Sequence, residues 1–120
     1  MKKSLIGQRG EELAARHLIG LGYTILARNW RSGRQELDII ARDGDQVVFI
    51  EVKTRSSRRY GYPVEFISAT KQDHMVKAAT QWLMAQGWEG EFRFDLIGIL
   101  EFPDNPATVT HVRDAFFPFF

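Results

Sequence analysis

Asp38, Glu51 and Lys53 are the residues whose types and spacing could do chemistry. Two converging carboxylates need compensation, because an unpaired buried anion is costly. A hard divalent cation supplies it. The chain has no cysteine and no histidine pair at metal-binding spacing. Oxygen ligands alone favour Mg²⁺ or Mn²⁺ over Zn²⁺. A lysine two residues from a cation-bound glutamate can orient or deprotonate water, or stabilise charge on a phosphate. Together these groups suit in-line hydrolysis of a phosphodiester. The acid-x-lysine triplet does not identify such a site alone, since a chain with 15 acidic residues produces about 0.6 such triplets by chance. The elements around it must bring Asp38 to Glu51.

The pattern supplies those elements. Ile6, Leu13, Ala14, His17, Leu18 and Leu21 recur at helical spacing after Ser4, a candidate cap, and Gly20 and Gly22 bracket the end. Residues 23–30 read as a strand, and Ser32-Gly33 as a turn. Residues 36–41 form a strand that enters a turn at Asp43-Gly44-Asp45, and residues 46–54 return. Asp-Gly between two β-branched runs is a strong hairpin signal. Asp38 precedes that turn and Glu51 follows it, so the two carboxylates should converge near one end of the sheet. Glu51 and Lys53 share a face, while Val52 points into the core.

Residues 55–67 read as a loop. A second helix is expected from about Ser68 to Gln86, with Met75, Val76, Ala79, Trp82 and Leu83 inward and Gly87 and Gly90 at its end. Residues 92–100 form a strand, 103–106 a turn and 108–112 a last strand. The order α-β-β-β-α-β-β predicts one α/β domain over residues 1–120, a mixed sheet flanked by helices.

The bulk numbers narrow the function classes. Net charge is +1, whereas a general nucleic-acid coat is more basic. Basic residues are instead local: Arg28, Arg31 and Arg34, then Arg55, Arg58 and Arg59. Such segments beside an acidic centre suit a phosphate backbone approaching a cation, although charged runs are commonly solvated loops. The basic start lacks a signal peptide's apolar run, and no stretch approaches a membrane span. A cytoplasmic protein is expected.

Asp38 followed by Glu51-Val52-Lys53 resembles the PD-(D/E)xK nuclease superfamily, with its restriction-endonuclease-like fold. Nearly the whole chain is similar to the bacterial YraN family. The matching pieces are Gly7-Gln8-Arg9-Gly10-Glu11, Gly22-Tyr23, Arg28-Asn29-Trp30-Arg31, residues 36–41, residues 48–55 and Arg93-Phe94-Asp95. That family is thought to be related to archaeal Holliday-junction resolvases, which show a glutamate eleven residues before a Gly-aromatic pair. Glu11 ahead of Gly22-Tyr23 matches it. The resemblance implies Asp38 and Glu51 as metal ligands with the Val52 backbone carbonyl as a third. It implies Lys53 as the catalytic lysine and Glu11 as a further acid, direct or through water. The superfamily's proline before the aspartate is Leu37 here, and the glycine usual in the family is Gln35. Resolvases cut a four-way junction symmetrically, which makes a homodimer a candidate state.

Other residues are weighed individually. Glu36, beside Asp38, is either an outer acid of the site or a partner of Arg34. Lys71 and Gln72 begin the second helix, where they would meet a phosphate or steady the site, against the plainer alternative of a solvated helix start. Glu12 is read as solvated, Asp95 as a structural partner of Arg93 and His17 as a core histidine. Trp30 is read as packing, and Tyr60-Gly61-Tyr62 as either packed or substrate-facing. His74 and His111 are assigned no chemistry. The tail Ala115-Phe116-Phe117-Pro118-Phe119-Phe120 either lies on the sheet or joins an interface. The expected function is a metal-dependent nuclease on DNA, with branched or junction DNA among its candidate substrates. The alternative is a nucleic-acid-binding or assembly module of little or no activity on the same fold.

Overall fold

A computed structural model of the chain describes residues 4–55, 67–102 and 105–118. The elements are α1 (Leu5–Gly20), β1 (Thr24–Ser32), β2 (Gln35–Asp43), β3 (Gln46–Arg55), α2 (Ala69–Gln86), β4 (Glu91–Phe102) and β5 (Asn105–Phe116). The order is the one the pattern predicts. The strands run longer than their apolar cores, because ladder hydrogen bonds continue through polar residues such as Arg31 and Arg42.

One five-stranded sheet runs in the order β1-β2-β3-β4-β5. Neighbours are antiparallel except β3 and β4, which are parallel. A parallel pair needs a crossover, and α2 supplies it. The turns at Gly33 and Gly44 use positive φ, 60° and 59°, which glycine adopts without strain.

The two helices cover opposite faces. Ala14, Ala15 and Leu18 of α1 pack with Ile39, Ala41, Val48, Ile50, Ile97 and Ile99. Met75, Ala78, Ala79 and Trp82 of α2 pack with Ile40, Val47, Phe49, Phe94 and Leu96. Strand alternation therefore sends Val48 and Ile50 toward α1, and Val47 and Phe49 toward α2. Ser4 caps α1, accepting from the Gly7 N–H at 3.0 Å. Ser68 caps α2, and Gly87 in the left-handed region ends it.

The α1 seam corrects the periodicity reading. Ile6 and Leu21 are exposed, while Gly10, Glu11, Ala14, Ala15 and Leu18 are buried. A Cβ on Gly10 would overlap the Thr54 hydroxyl, so only glycine lets α1 come this close to β3. Glu11, the next residue along α1, is buried as well. The α2 reading holds, with Val76 and Leu83 partly buried beside the inner face. Trp30 packs against the same core. Phe116 is buried and stacks on Phe94 at 4.7 Å, while Phe117 is exposed.

Candidate active site

The β2–β3 ladder runs from Asp43 and Gln46 at the turn to Ile39 and Ile50. Beyond that pair the strands part, and the next residue on each side is a buried carboxylate: Asp38 and Glu51, each 8% exposed. The hairpin register therefore brings together the two acids that the sequence separates by thirteen positions.

Asp38 Oδ2 accepts the Val52 backbone N–H at 2.8 Å. That bond fixes the carboxylate against β3. A residue in an extended strand directs its N–H and C=O along the same edge. The Val52 carbonyl thus faces the gap between β2 and β3, past the end of their ladder. The Val52 side chain packs on the α1-facing core. Glu51 and Lys53 lie in unbroken register with Leu96 and Gly98 of β4, so they share the α2-facing side.

Glu51 answers to its surroundings. Its carboxyl is pushed up to about 8: burial contributes most, the adjoining Asp38 adds to it, and the Lys71 ammonium opposes it. Lys71 Nζ stands 3.0 Å from Glu51 Oε2. This buried oxygen has no hydrogen bond of good geometry among the described residues, so the contact lacks the alignment of a well-formed pair. Two carboxylates, a carbonyl edge and a buried oxygen without a directional donor form an oxygen-rich set that fits a hard divalent cation. Among the described residues, no three histidine, aspartate or glutamate side chains gather as a metal group. Such a cation would complete its shell with backbone, water or substrate oxygens, the usual habit of Mg²⁺.

The remaining residues distribute as follows. Glu11 is buried and lines a cleft of about 440 Å³ with Arg28, Asn29, Arg31 and Glu36. Asp38 and Glu51 do not line that cleft. Glu36 pairs across the strands with Arg31 at 3.4 Å, a partner that neither of the two alternatives weighed for it names. Glu36 and Arg31 are register partners, whereas Arg34 sits in the turn. Arg34 is exposed. Arg55 donates to its neighbour's carbonyl, Thr54 O, at 3.1 Å. Gln72 donates to Ile67 O at 2.9 Å, closing the entry to α2. Arg58, Arg59 and the Tyr60-Gly61-Tyr62 segment lie outside the described residues. Glu12 is exposed and pairs with Arg28 and Arg16.

Lys71, in the first turn of α2, is partly exposed and reaches Glu51, the placement the plainer alternative does not include. Sequence reasoning also missed a polar chain under α1. Asp95 is fully buried and pairs with Arg93 at 3.1 Å, as expected, but also with His111 Nε2 at 2.7 Å. His111 Nδ1 meets His17 Nε2 at 3.2 Å. Burial raises the Asp95 carboxyl, but His111 and Arg93 outweigh it and hold the group below its ordinary value. Arg93 reaches on to Tyr23, Asp43 and Gln46. This chain ties α1, β3, β4 and β5 together. His17 and His111 are 94 positions apart, so no spacing rule could join them.

The family profile described as "Uncharacterised protein family UPF0102" matches residues 10–99. The chain belongs to family UPF0102. UPF0102 is the YraN family that the residue matches resemble. A UPF0102 protein of Nocardioides sp. is 44% identical over 112 residues, covering 92% of this chain and 90% of the relative. Another, from Chlorobium limicola, is 46% identical over 117 residues, covering 92% and 91%. Among solved structures, this UPF0102 chain is similar to Hjc of Archaeoglobus fulgidus, a Holliday junction resolvase. The TM-score is 0.48 at 20% identity, over 86% of this chain and 74% of that one. No helix among the described residues is long and apolar enough to cross a membrane.

Proposed function

We propose that this UPF0102 protein is a metal-dependent nuclease that hydrolyses phosphodiester bonds in DNA, branched or junction DNA included. The observation that carries the reading is the meeting of Asp38 and Glu51 at the fork of β2 and β3, beside Lys53. Their resemblance to the PD-(D/E)xK pattern supports it. A protein that only binds nucleic acid gains nothing from two buried carboxylates facing a phosphate, and keeping them there is costly.

Asp38, Glu51 and the Val52 carbonyl would hold Mg²⁺ or Mn²⁺. The cation supplies Lewis acidity toward the phosphate and lowers the pKa of its water. Asp38 acts from a position fixed by the Val52 N–H. Lys53 carries a positive charge on the same side as Glu51 and stabilises the charge that develops on the phosphate. Glu11, buried on α1 in a cleft it shares with Arg28 and Arg31, would act through water. Arg31, Arg34, Arg55, Arg58, Arg59 and Lys71 would hold the sugar-phosphate backbone, while Glu36 sets Arg31 in place. This interface would be screened by salt.

The reading predicts cleavage of at least one of single-stranded, duplex and four-way junction DNA in Mg²⁺ or Mn²⁺, abolished by chelator. Denaturing gels of end-labelled substrates read it directly. Binding that is indifferent to chelator, with no cleavage of any of the three, would favour the inactive binding module instead.

A further inference from the structure

We propose that Lys71 is a resident counter-ion of Glu51, and that a divalent cation displaces it from there toward the phosphate of the incoming nucleic acid. The proposal rests on the reading of the fork as a cation site.

Lys71 Nζ lies 3.0 Å from Glu51 Oε2, the oxygen that makes no well-formed hydrogen bond among the described residues. The contact is a single one made by a flexible side chain, so a stronger ligand of the same oxygen can replace it. The Lys71 side chain is 38% exposed against 10% for Glu51. Its ammonium stands at the mouth of the site, between the buried carboxyl pair and the solvent from which a polyanion arrives. Its backbone is held, because the Lys71 N–H donates to the capping Ser68 Oγ at 3.1 Å. Only the flexible four-carbon stem has to move, and lysine's compact charge exchanges partners readily. Lys53 is placed differently: its backbone lies in the β3–β4 ladder, in register with Gly98.

A divalent cation would bind the same carboxylate at about 2.0–2.6 Å. A lysine ammonium fixed nearby repels it, so Lys71 must yield. Once it turns outward, it adds its charge to that of the cation along the path of the phosphate. The order of events follows: cation first, nucleic acid second. Lys71 is thus a positioning residue that links occupancy of the cation site to substrate affinity.

The test compares wild type with Lys71→Met, Lys71→Arg and Asp38→Asn. Mn²⁺ affinity is measured by paramagnetic resonance, and affinity for a short DNA oligonucleotide by anisotropy in Ca²⁺. Lys71→Met should bind Mn²⁺ about tenfold more tightly, because a repelling charge is gone. The same variant should bind the oligonucleotide about tenfold more weakly. Lys71→Arg should keep wild-type Mn²⁺ affinity. Thermal melting confirms that the variants are folded, and Lys71→Gln must move both affinities in the same directions as Lys71→Met. Equal or weaker Mn²⁺ binding by Lys71→Met overturns the counter-ion role alone. Wild type that binds no Mn²⁺, or Asp38→Asn that binds it as well as wild type, overturns the cation site and the counter-ion with it.

Discussion

Asp38→Asn is expected to lose cleavage by on the order of a thousandfold, equivalent to about 4 kcal/mol of barrier, while still binding DNA. Asparagine has nearly the same size, and its carbonyl can still accept the Val52 N–H that fixes Asp38 at 2.8 Å. The local backbone is therefore retained. What disappears is one of the two negative charges that would hold the cation. Substrate binding rests mainly on lysine and arginine charges, so it should change little. Single-turnover cleavage of the preferred DNA substrate, with binding measured in Ca²⁺, separates the two effects. Cleavage within tenfold of wild type would remove Asp38 from the chemistry.

Glu51→Gln should make the protein more stable in chelator at pH 8 and leave stability nearly unchanged at pH 5. The sign follows from the shift. Glu51 is raised from an ordinary 4.5 to about 8, with burial the largest cause and Asp38 next. Between those values the folded protein holds a proton that the unfolded chain has released, so stability falls as pH rises through the window. Glutamine cannot ionise and escapes this loss. The gain at pH 8 should be about 2–3 kcal/mol, less than the full shift implies, because the two carboxyls titrate as a pair. Denaturant midpoints across pH 5 to 8.5 report it, and parallel curves for the two proteins would contradict it. Excess Mg²⁺ should stabilise wild type and not the variant, since only the ionised carboxylate gains a partner. A site that costs stability until it is filled is the usual mark of function over folding.

The hairpin is where the sequence is most informative. Asp43-Gly44-Asp45 sets the register, and register alone decides that Asp38 and Glu51 become neighbours past the last paired residues. The helices are legible from periodicity, but their buried stripes are less so. Ile6 and Leu21 fit the helical period and are exposed, because Gly10 lets α1 press against Thr54 and shifts the seam toward Glu11. Two contacts could not be read as pairings, although Lys71 itself stands among the residues weighed for steadying the site. Lys71 meets Glu51 across a crossover of twenty residues, and the His17–His111–Asp95 chain joins α1 to β5 and β4. Both depend on how helices are laid on the sheet, which local pattern does not encode. Asp95 and Arg93 were readable because they are two apart on one strand face.

The central claim is that the fork of β2 and β3 is a cation-binding catalytic centre. Anomalous scattering from crystals soaked in Mn²⁺ tests it most directly. A single Mn²⁺ peak between the Asp38 and Glu51 carboxylates, within bonding distance of the Val52 carbonyl and with the Lys71 ammonium withdrawn from Glu51, is the predicted result. Full soaks with no peak at that position, or with Lys71 still on Glu51 and the cation bound elsewhere, would contradict it.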